Sequence, residues 1–188
     1  MARYLNRRGD RTGSIHSESS ATLHVRKGAT ILLPIRDYEH GQLACDILGK
    51  NTDSHIASIH LFHSVEDKLA GARLMLALEI SRLADEQKDA KHEAKQYLKR
   101  LANSLEEVFL DAGIFTRVVV SESVADAILS ASDQILPDLI LLVIHPERQR
   151  HWFVPSVTNR VLSKARCPVQ IIKPGQDTNW LSNPISVT

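Results

Sequence analysis

Five short apolar segments of β-strand composition alternate with segments of helical periodicity, and this alternation limits the fold more than any other feature. The apolar segments are TILLPI (30–35), HIASIHLFHS (55–64), IFTRVVVS (114–121), DLILLVI (138–144) and CPVQII (167–172). Strands that are separated by helices pair in parallel through right-handed crossovers. The sequence therefore predicts an α/β fold, an open doubly wound parallel five-stranded sheet with helices on both faces.

The intervals between these segments carry the helical signals. RDYEHG is predicted to form a turn, and QLACDIL after it one or two helical turns. Residues 67–110 have apolar residues at a spacing of three and four, and the charged stretch DEQKDAKHEAK (85–95) is either a solvated helical face or a loop between two helices. Gly113 is predicted to stop this helical region. Ser123 is predicted to cap the next helix, and PSVTNRVLSKA forms the last one.

Composition and charge favour one globular domain without a nucleic-acid or membrane partner. The chain has 188 residues, 43% of them hydrophobic, and its 23 Lys and Arg nearly balance its 22 Asp and Glu. We expect a polar basic arm over 1–28, with six basic and two acidic residues, then the α/β domain over 29–174 and a tail over 175–188. The longest apolar run, LILLVI, is too short to span a bilayer. Two cysteines, Cys45 and Cys167, suit a reducing compartment, so the expected location is the cytoplasm.

Three stretches of the sequence resemble the universal stress protein family over roughly residues 30–173. ILLPI is similar to the family's first strand, and ADAILSASDQILPDLILLVI to its third helix and fourth strand. SVTNRVLSKARCPVQIIK is the most similar stretch, including the Cys-Pro-Val entry into the last strand. The resemblance implies a Rossmann-like fold of the adenine nucleotide alpha hydrolase-like kind.

The glycine pattern that ATP-binding members carry after the fourth strand is missing. Its three glycine positions fall on Val143, Pro146 and, one residue early, Pro155, and only the following Ser156 matches. Proline fixes φ and has no N–H to offer a phosphate, and Val143 is expected to obstruct the base or ribose. The family's Asp after strand one, which resembles an adenine contact, falls on Arg36. We therefore expect no cofactor and no ATP binding in the family's usual mode.

An altered cleft that binds AMP, ATP or another anion is the alternative. Its candidate ligand residues are Arg36, Ser121, His145, Arg148, Arg150 and Ser156. Ser156 could cap the last helix, and helix N-termini attract anions. A solvated basic loop with a capping serine explains the same residues more simply. Trp152 and Phe153 follow the basic loop and are expected to fill the vacated cleft.

Catalysis and metal binding have little support in the sequence. His60 and His63 are three residues apart on a strand and should point to opposite faces, and no acidic or cysteine partner stands at ligand spacing. His145 lies at a strand end without a matched nucleophile, so we predict no catalytic residue and no metal. A nucleotide hydrolase ranks last among the functions considered.

The last strand points to self-association. No helix follows CPVQII to cover the sheet edge, and bare edges tend to be paired. The resemblance implies a two-fold homodimer through this strand, with Val169, Gln170, Ile171 and Ile172 in the interface. The expected function is regulatory or stress-related and non-enzymatic, exerted through contacts with an unidentified protein partner.

Overall fold

The structure is a computed structural model that describes residues 26–51, 55–70, 77–143 and 155–172. Strands and helices alternate through these ranges as the sequence predicts. The strands are β1 (Ala29–Pro34), β2 (Ile56–Glu66), β3 (Gly113–Ser121), β4 (Leu139–Val143) and β5 (Val169–Ile172). The helices are α1 (Tyr38–Asn51), α2 (Ala77–Val108), α3 (Val124–Ile135) and α4 (Pro155–Lys164).

All five strands pair in parallel, in the order β3-β2-β1-β4-β5. The chain builds outward from β1 through β2 to β3, and then returns to the other side of β1 to place β4 and β5. Strand order therefore reverses between β1 and β4, which makes their carboxyl ends the topological switch point of the sheet. The predicted doubly wound α/β fold is confirmed.

Helices cover the sheet on both faces and create two cores. Alternate residues of β1, including Ile31 and Leu33, face a core shared with α1 and α2, where Leu98 and Leu105 of α2 are buried. The intervening Leu32 faces the second core, shared with α3 and α4. Both faces of the central strands are thus apolar, which explains why their sequences read as continuous hydrophobic runs.

Helix α1 starts earlier than the sequence predicted, because only Arg36 and Asp37 of the segment RDYEHG precede it. The helix starts at Tyr38 and runs for 14 residues. Asp37 precedes it, and its Oδ1 accepts a hydrogen bond from His40 N at 2.8 Å. A side chain that accepts from the third helical N–H caps a helix start. Gly41 lies so close to Leu101 of α2 that a Cβ at that position would overlap the leucine side chain.

Helix α2 settles the choice that the sequence left open. It is one continuous helix of 32 residues without glycine or proline, so the charged stretch 85–95 is a solvated helical face and not a loop. Ala94, Leu98, Leu101 and Leu105 form part of its buried stripe. The prediction was wrong at the ends of the region. Residues 67–70 form a turn, and Gly113 is the first residue of β3 and not a helix stop.

The last two helices begin differently from one another. Ser123 caps α3 as predicted, with its hydroxyl accepting from Asp126 N at 3.3 Å. Helix α4 begins at Pro155, so Ser156 lies inside its first turn and does not precede the helix as a capping residue would. Proline suits the first helical position because its missing N–H would have no partner there.

Several predictions fall on parts of the chain that the structure does not describe. These are the basic arm up to residue 25, the loop over 144–154 with Trp152 and Phe153, and the tail from residue 173. The division into arm, domain and tail stays a prediction. Among the described residues, no helix is long and apolar enough to cross a membrane.

Candidate functional site

The switch point of the sheet lies between the carboxyl ends of β1 and β4, where doubly wound sheets form their ligand crevice. Within the described residues, their ladder consists of the pairs Ile31–Leu139 and Leu32–Ile140. Beyond these pairs β4 continues to Val143, where its neighbour is Ile172 of β5. Ligands of doubly wound sheets bind in this crevice, so its lining decides what the fold can bind here.

His40 of α1 reaches across this crevice to the end of β4. Its Nε2 lies 2.7 Å from the carbonyl oxygen of Val143, and the residue is 3% exposed. A carbonyl oxygen only accepts, so Nε2 carries the proton and donates. The other ring nitrogen, Nδ1, accepts from Arg36 N at 3.4 Å. The neutral ring therefore links the turn after β1 to the last residue of β4.

Helix capping by Asp37 fixes the position of this histidine. The same carboxylate that accepts from His40 N also accepts from Arg36 Nε at 2.7 Å through its second oxygen. Burial disfavours the charged form, but the hydrogen bond from His40 N and the contact with Arg36 outweigh it and hold the pKa of Asp37 below its usual value. One carboxylate thus fixes the turn through both of its oxygens: Oδ1 binds the first turn of α1, and Oδ2 binds the Arg36 side chain.

Arg36, the first of the predicted ligand residues, lies at the switch point as expected. Its side chain is 14% exposed and forms an ion pair with Asp37. A new anion would have to compete with this carboxylate, which is covalently adjacent and already in hydrogen-bond contact. The charge of Arg36 is thus engaged by Asp37, and its role as a ligand residue stays a prediction.

A second histidine, His63 of β2, holds the same turn. His63 Nδ1 donates to the carbonyl oxygen of Ile35 at 2.8 Å, and the ring meets Tyr97 of α2 edge-on at 5.5 Å. Burial lowers the pKa of His63, while the hydrogen bond to Ile35 and the charge of Asp37 act in the opposite direction. His60 stacks on Phe115 on the other face, as the alternation of strand residues predicts.

Ser121 does not lie beside Arg36. It ends β3, two strands from β1, and pairs with Glu66, which is four residues beyond the β2 partner of Pro34. Its hydroxyl donates to Ser123 O at 3.0 Å and accepts from Ser123 N at 3.2 Å. The Ser121 hydroxyl thus stabilises the turn that leads into α3.

The loop residues of the predicted site lie outside the described part of the chain. His145, Arg148 and Arg150 belong to residues 144–154, and for Ser156 the structure gives the backbone position in α4 alone. Their contribution to a cleft stays a prediction. Among the described residues, no group of three or more His, Cys, Asp or Glu could hold a metal ion.

Val143 acts differently from what the sequence suggested. It was expected to obstruct a ligand with its side chain, but that side chain is 1% exposed and packs in the α1–α2 core with Leu139 and Leu141. Strand alternation puts every second residue on one face, which gives position 143 to this core. The carbonyl oxygen of Val143 is what faces the crevice, and His40 binds it.

Strand β5 forms one edge of the described sheet, as predicted. It pairs with β4 on one side, and Val169, Gln170 and Ile171 are partly exposed. Ile172 is 3% exposed and belongs to the α1–α2 core. The strand therefore offers a free edge within the described residues, while its use in a dimer remains a prediction.

Sequence reasoning missed the part that three residues play in holding the turn after β1: Asp37, His40 and His63. RDYEHG was interpreted as a turn, and its histidine was not considered for any site. The available signal was the aspartate at position 37, since Asp is a preferred capping residue and places the residue three positions later in the first helical turn. A helix start at that point would have moved His40 from a loop to the switch point.

The comparisons with known proteins agree with this architecture. The model of the universal stress protein family matches residues 29–173. UspA from Lactobacillus plantarum is 18% identical, with a TM-score of 0.60 over 79% of this chain and 99% of its own. The hypothetical protein MJ0577 is also 18% identical, with a TM-score of 0.62 over 79% of this chain and 97% of its own.

A third solved structure, the hypothetical protein PH0823, is 24% identical, with a TM-score of 0.58 over 77% of this chain and 96% of its own. No curated protein matches the chain significantly. At these identities the solved structures show a shared fold, and the family model adds the assignment across the whole α/β domain. The chain therefore belongs to the universal stress protein family.

Proposed function

We propose that the chain is a cytoplasmic, non-enzymatic regulator of the universal stress type that does not bind ATP in the family's usual mode. The observation that supports this proposal is the hydrogen bond from His40 to Val143 O, which spans the crevice at the switch point with a buried ring. A base or ribose entering there would have to displace that ring. The missing glycines after β4 support the same conclusion independently.

Regulation would be exerted through contacts with other chains. We propose a homodimer through the free edge of β5, with Val169, Gln170, Ile171 and Ile172 at the two-fold axis. An unpaired edge with partly exposed residues supports this choice, because exposed edges readily pair with another strand. A further, unidentified protein partner would bind the dimer.

Two buried hydroxyls favour a second candidate function, an anion or nucleotide sensor. Ser64 Oγ on β2 and Thr158 Oγ1 on α4 have no hydrogen-bond partner in the described part of the chain. Buried hydroxyls without partners are costly and often mark a place where a ligand or water binds. In this alternative AMP or ATP would bind Arg36, Arg148, Arg150 and Ser156, with these hydroxyls nearby.

Calorimetric titration with ATP, ADP and AMP separates the two candidates. The regulatory proposal predicts no binding at micromolar concentrations of nucleotide. Micromolar binding that Arg148→Ala abolishes would establish the sensor instead, and release of phosphate from ATP would establish a hydrolase. Asp133→Ala, a change in an exposed ion pair on α3, is the matched control and should leave every titration unchanged.

Sedimentation equilibrium tests the dimer. Gln170→Lys places like charges across the proposed two-fold axis and should weaken association at least tenfold, which corresponds to about 1.4 kcal/mol. Thr116→Lys makes the same change on the opposite edge strand, β3, at an exposed position, and should have no effect. Equal weakening by both changes, or a monomeric wild type, would contradict the proposed interface.

A further inference from the structure

The His40 ring is held at the switch point in the way that a small ligand would be held. One ring nitrogen donates to Val143 O and the other accepts from Arg36 N, so a donor and an acceptor in one plane meet two backbone groups. Val143 O belongs to the last residue of β4, and Arg36 N belongs to the turn after β1. Buried backbone groups at such a crevice must find partners, and here a side chain of the same chain supplies both.

We infer that His40 is a built-in ligand of the crevice, a specificity-determining residue that excludes nitrogen heterocycles by occupying their place. The inference rests on the proposed exclusion of ATP and names the group responsible for it. A planar ring with an N–H donor and an unprotonated nitrogen acceptor has the chemistry that these two backbone groups recognise. Imidazole is the smallest such ring, and the purine bases carry the same pair of functions.

The neighbouring histidine does not share this role. His63 also binds a backbone carbonyl, that of Ile35, but it belongs to β2, which lies on the other side of β1 from β4, and its ring meets Tyr97 of α2. Arg36 and Asp37 line the same turn, and Arg36 Nε donates to Asp37 Oδ2 at 2.7 Å. His40 is thus the residue whose removal opens the space between the turn and Val143.

Chemical rescue tests this inference directly. His40→Gly removes the ring and leaves Val143 O and Arg36 N–H without it, so the variant should melt below the wild type. At about pH 8, where imidazole is mostly neutral, a tenfold excess over its dissociation constant should raise the melting temperature by about 4 °C. 1-Methylimidazole lacks the N–H that Val143 O requires and should raise it much less.

A cavity without polar groups provides the matched control. Leu48→Ala empties space in the α1–α2 core, where Leu48 is fully buried, and should not respond to either compound. Equal responses of His40→Gly to imidazole and 1-methylimidazole, or a response no larger than that of Leu48→Ala, would overturn the inference. Wild-type protein that binds ATP would instead overturn the proposed function, so the two failures are distinguishable.

A second pair of variants keeps the test decisive if His40→Gly does not fold. His40→Gln retains a side-chain N–H that can reach Val143 O, whereas His40→Leu has similar bulk and no donor. The glutamine variant should melt at a higher temperature than the leucine variant. The opposite order would show that the ring acts by bulk alone and would contradict the role of a hydrogen-bonded ligand.

Discussion

Replacement of Asp37 separates the two interactions that fix the turn after β1. Asp37 caps α1 through His40 N at 2.8 Å and pairs with Arg36 at 2.7 Å. Loss of a cap costs about 1 kcal/mol, and Asn caps as well as Asp does. The carboxylate is 38% exposed, so solvent screening limits the ion pair to less than about 1 kcal/mol. Asp37→Ala should therefore lower the free energy of unfolding by about 1.5 kcal/mol and Asp37→Asn by less than half of that.

Urea unfolding of both variants measures these differences, with Asp133→Ala as the control for an exposed ion pair. The pKa of Asp37 is depressed in the folded state, so its contribution is present above the unfolded pKa and disappears as the pH falls through the folded value. The gap between wild type and Asp37→Asn should accordingly close in acid. Equal effects of the alanine and asparagine variants would refute the capping role, and a gap that persists in acid would refute the ionic one.

Three further experiments test helix packing, backbone strain and burial. Gly41→Ala should lower the free energy of unfolding by about 1–3 kcal/mol, because the new methyl group overlaps the side chain of Leu101 in α2. Gly49→Ala in the same helix makes ordinary contacts and should raise the free energy of unfolding by up to about 1 kcal/mol. Urea unfolding measures both, and changes of the same sign would contradict the close approach at Gly41. Leu136 ends α3 with φ 52° and is 77% exposed, so Leu136→Gly should raise the melting temperature by roughly 2–4 °C through relief of left-handed strain, and a fall would contradict that reasoning. Burial raises the pKa of the Cys45 thiol to about 12, whereas Cys167 is partly exposed. A thiol reagent should therefore label Cys167 in native protein and Cys45 only after unfolding. Rapid labelling of Cys45 in native protein would contradict its burial.

The fold was predictable from sequence because its strands are buried on both faces. Segments such as LILLV at 139–143 are apolar at every position, and parallel sheets between helices produce that pattern. The long helix α2 was harder to predict, since its charged middle turns carry few apolar residues. Its buried stripe passes through Gln87 and Ala94, which a hydrophobicity pattern does not recognise as core positions.

The candidate site could be predicted only in part, for a physical reason. The glycine pattern after β4 is local, so its loss is visible in the sequence. The contact between His40 and Val143 joins residues 103 positions apart and depends on the order of strands in the sheet. No local pattern encodes which two strands will be neighbours at the switch point. His40 therefore became visible once the helix start at Tyr38 and the neighbouring β1 and β4 were known.

The adenosine content of protein purified from cells under native conditions tests the central claim most directly. Extraction followed by mass spectrometry measures the amount of ATP, ADP and AMP carried by each chain. A crevice closed by the His40 ring predicts that none of these compounds is present in stoichiometric amount. One adenosine compound per chain, retained through purification, would contradict the account.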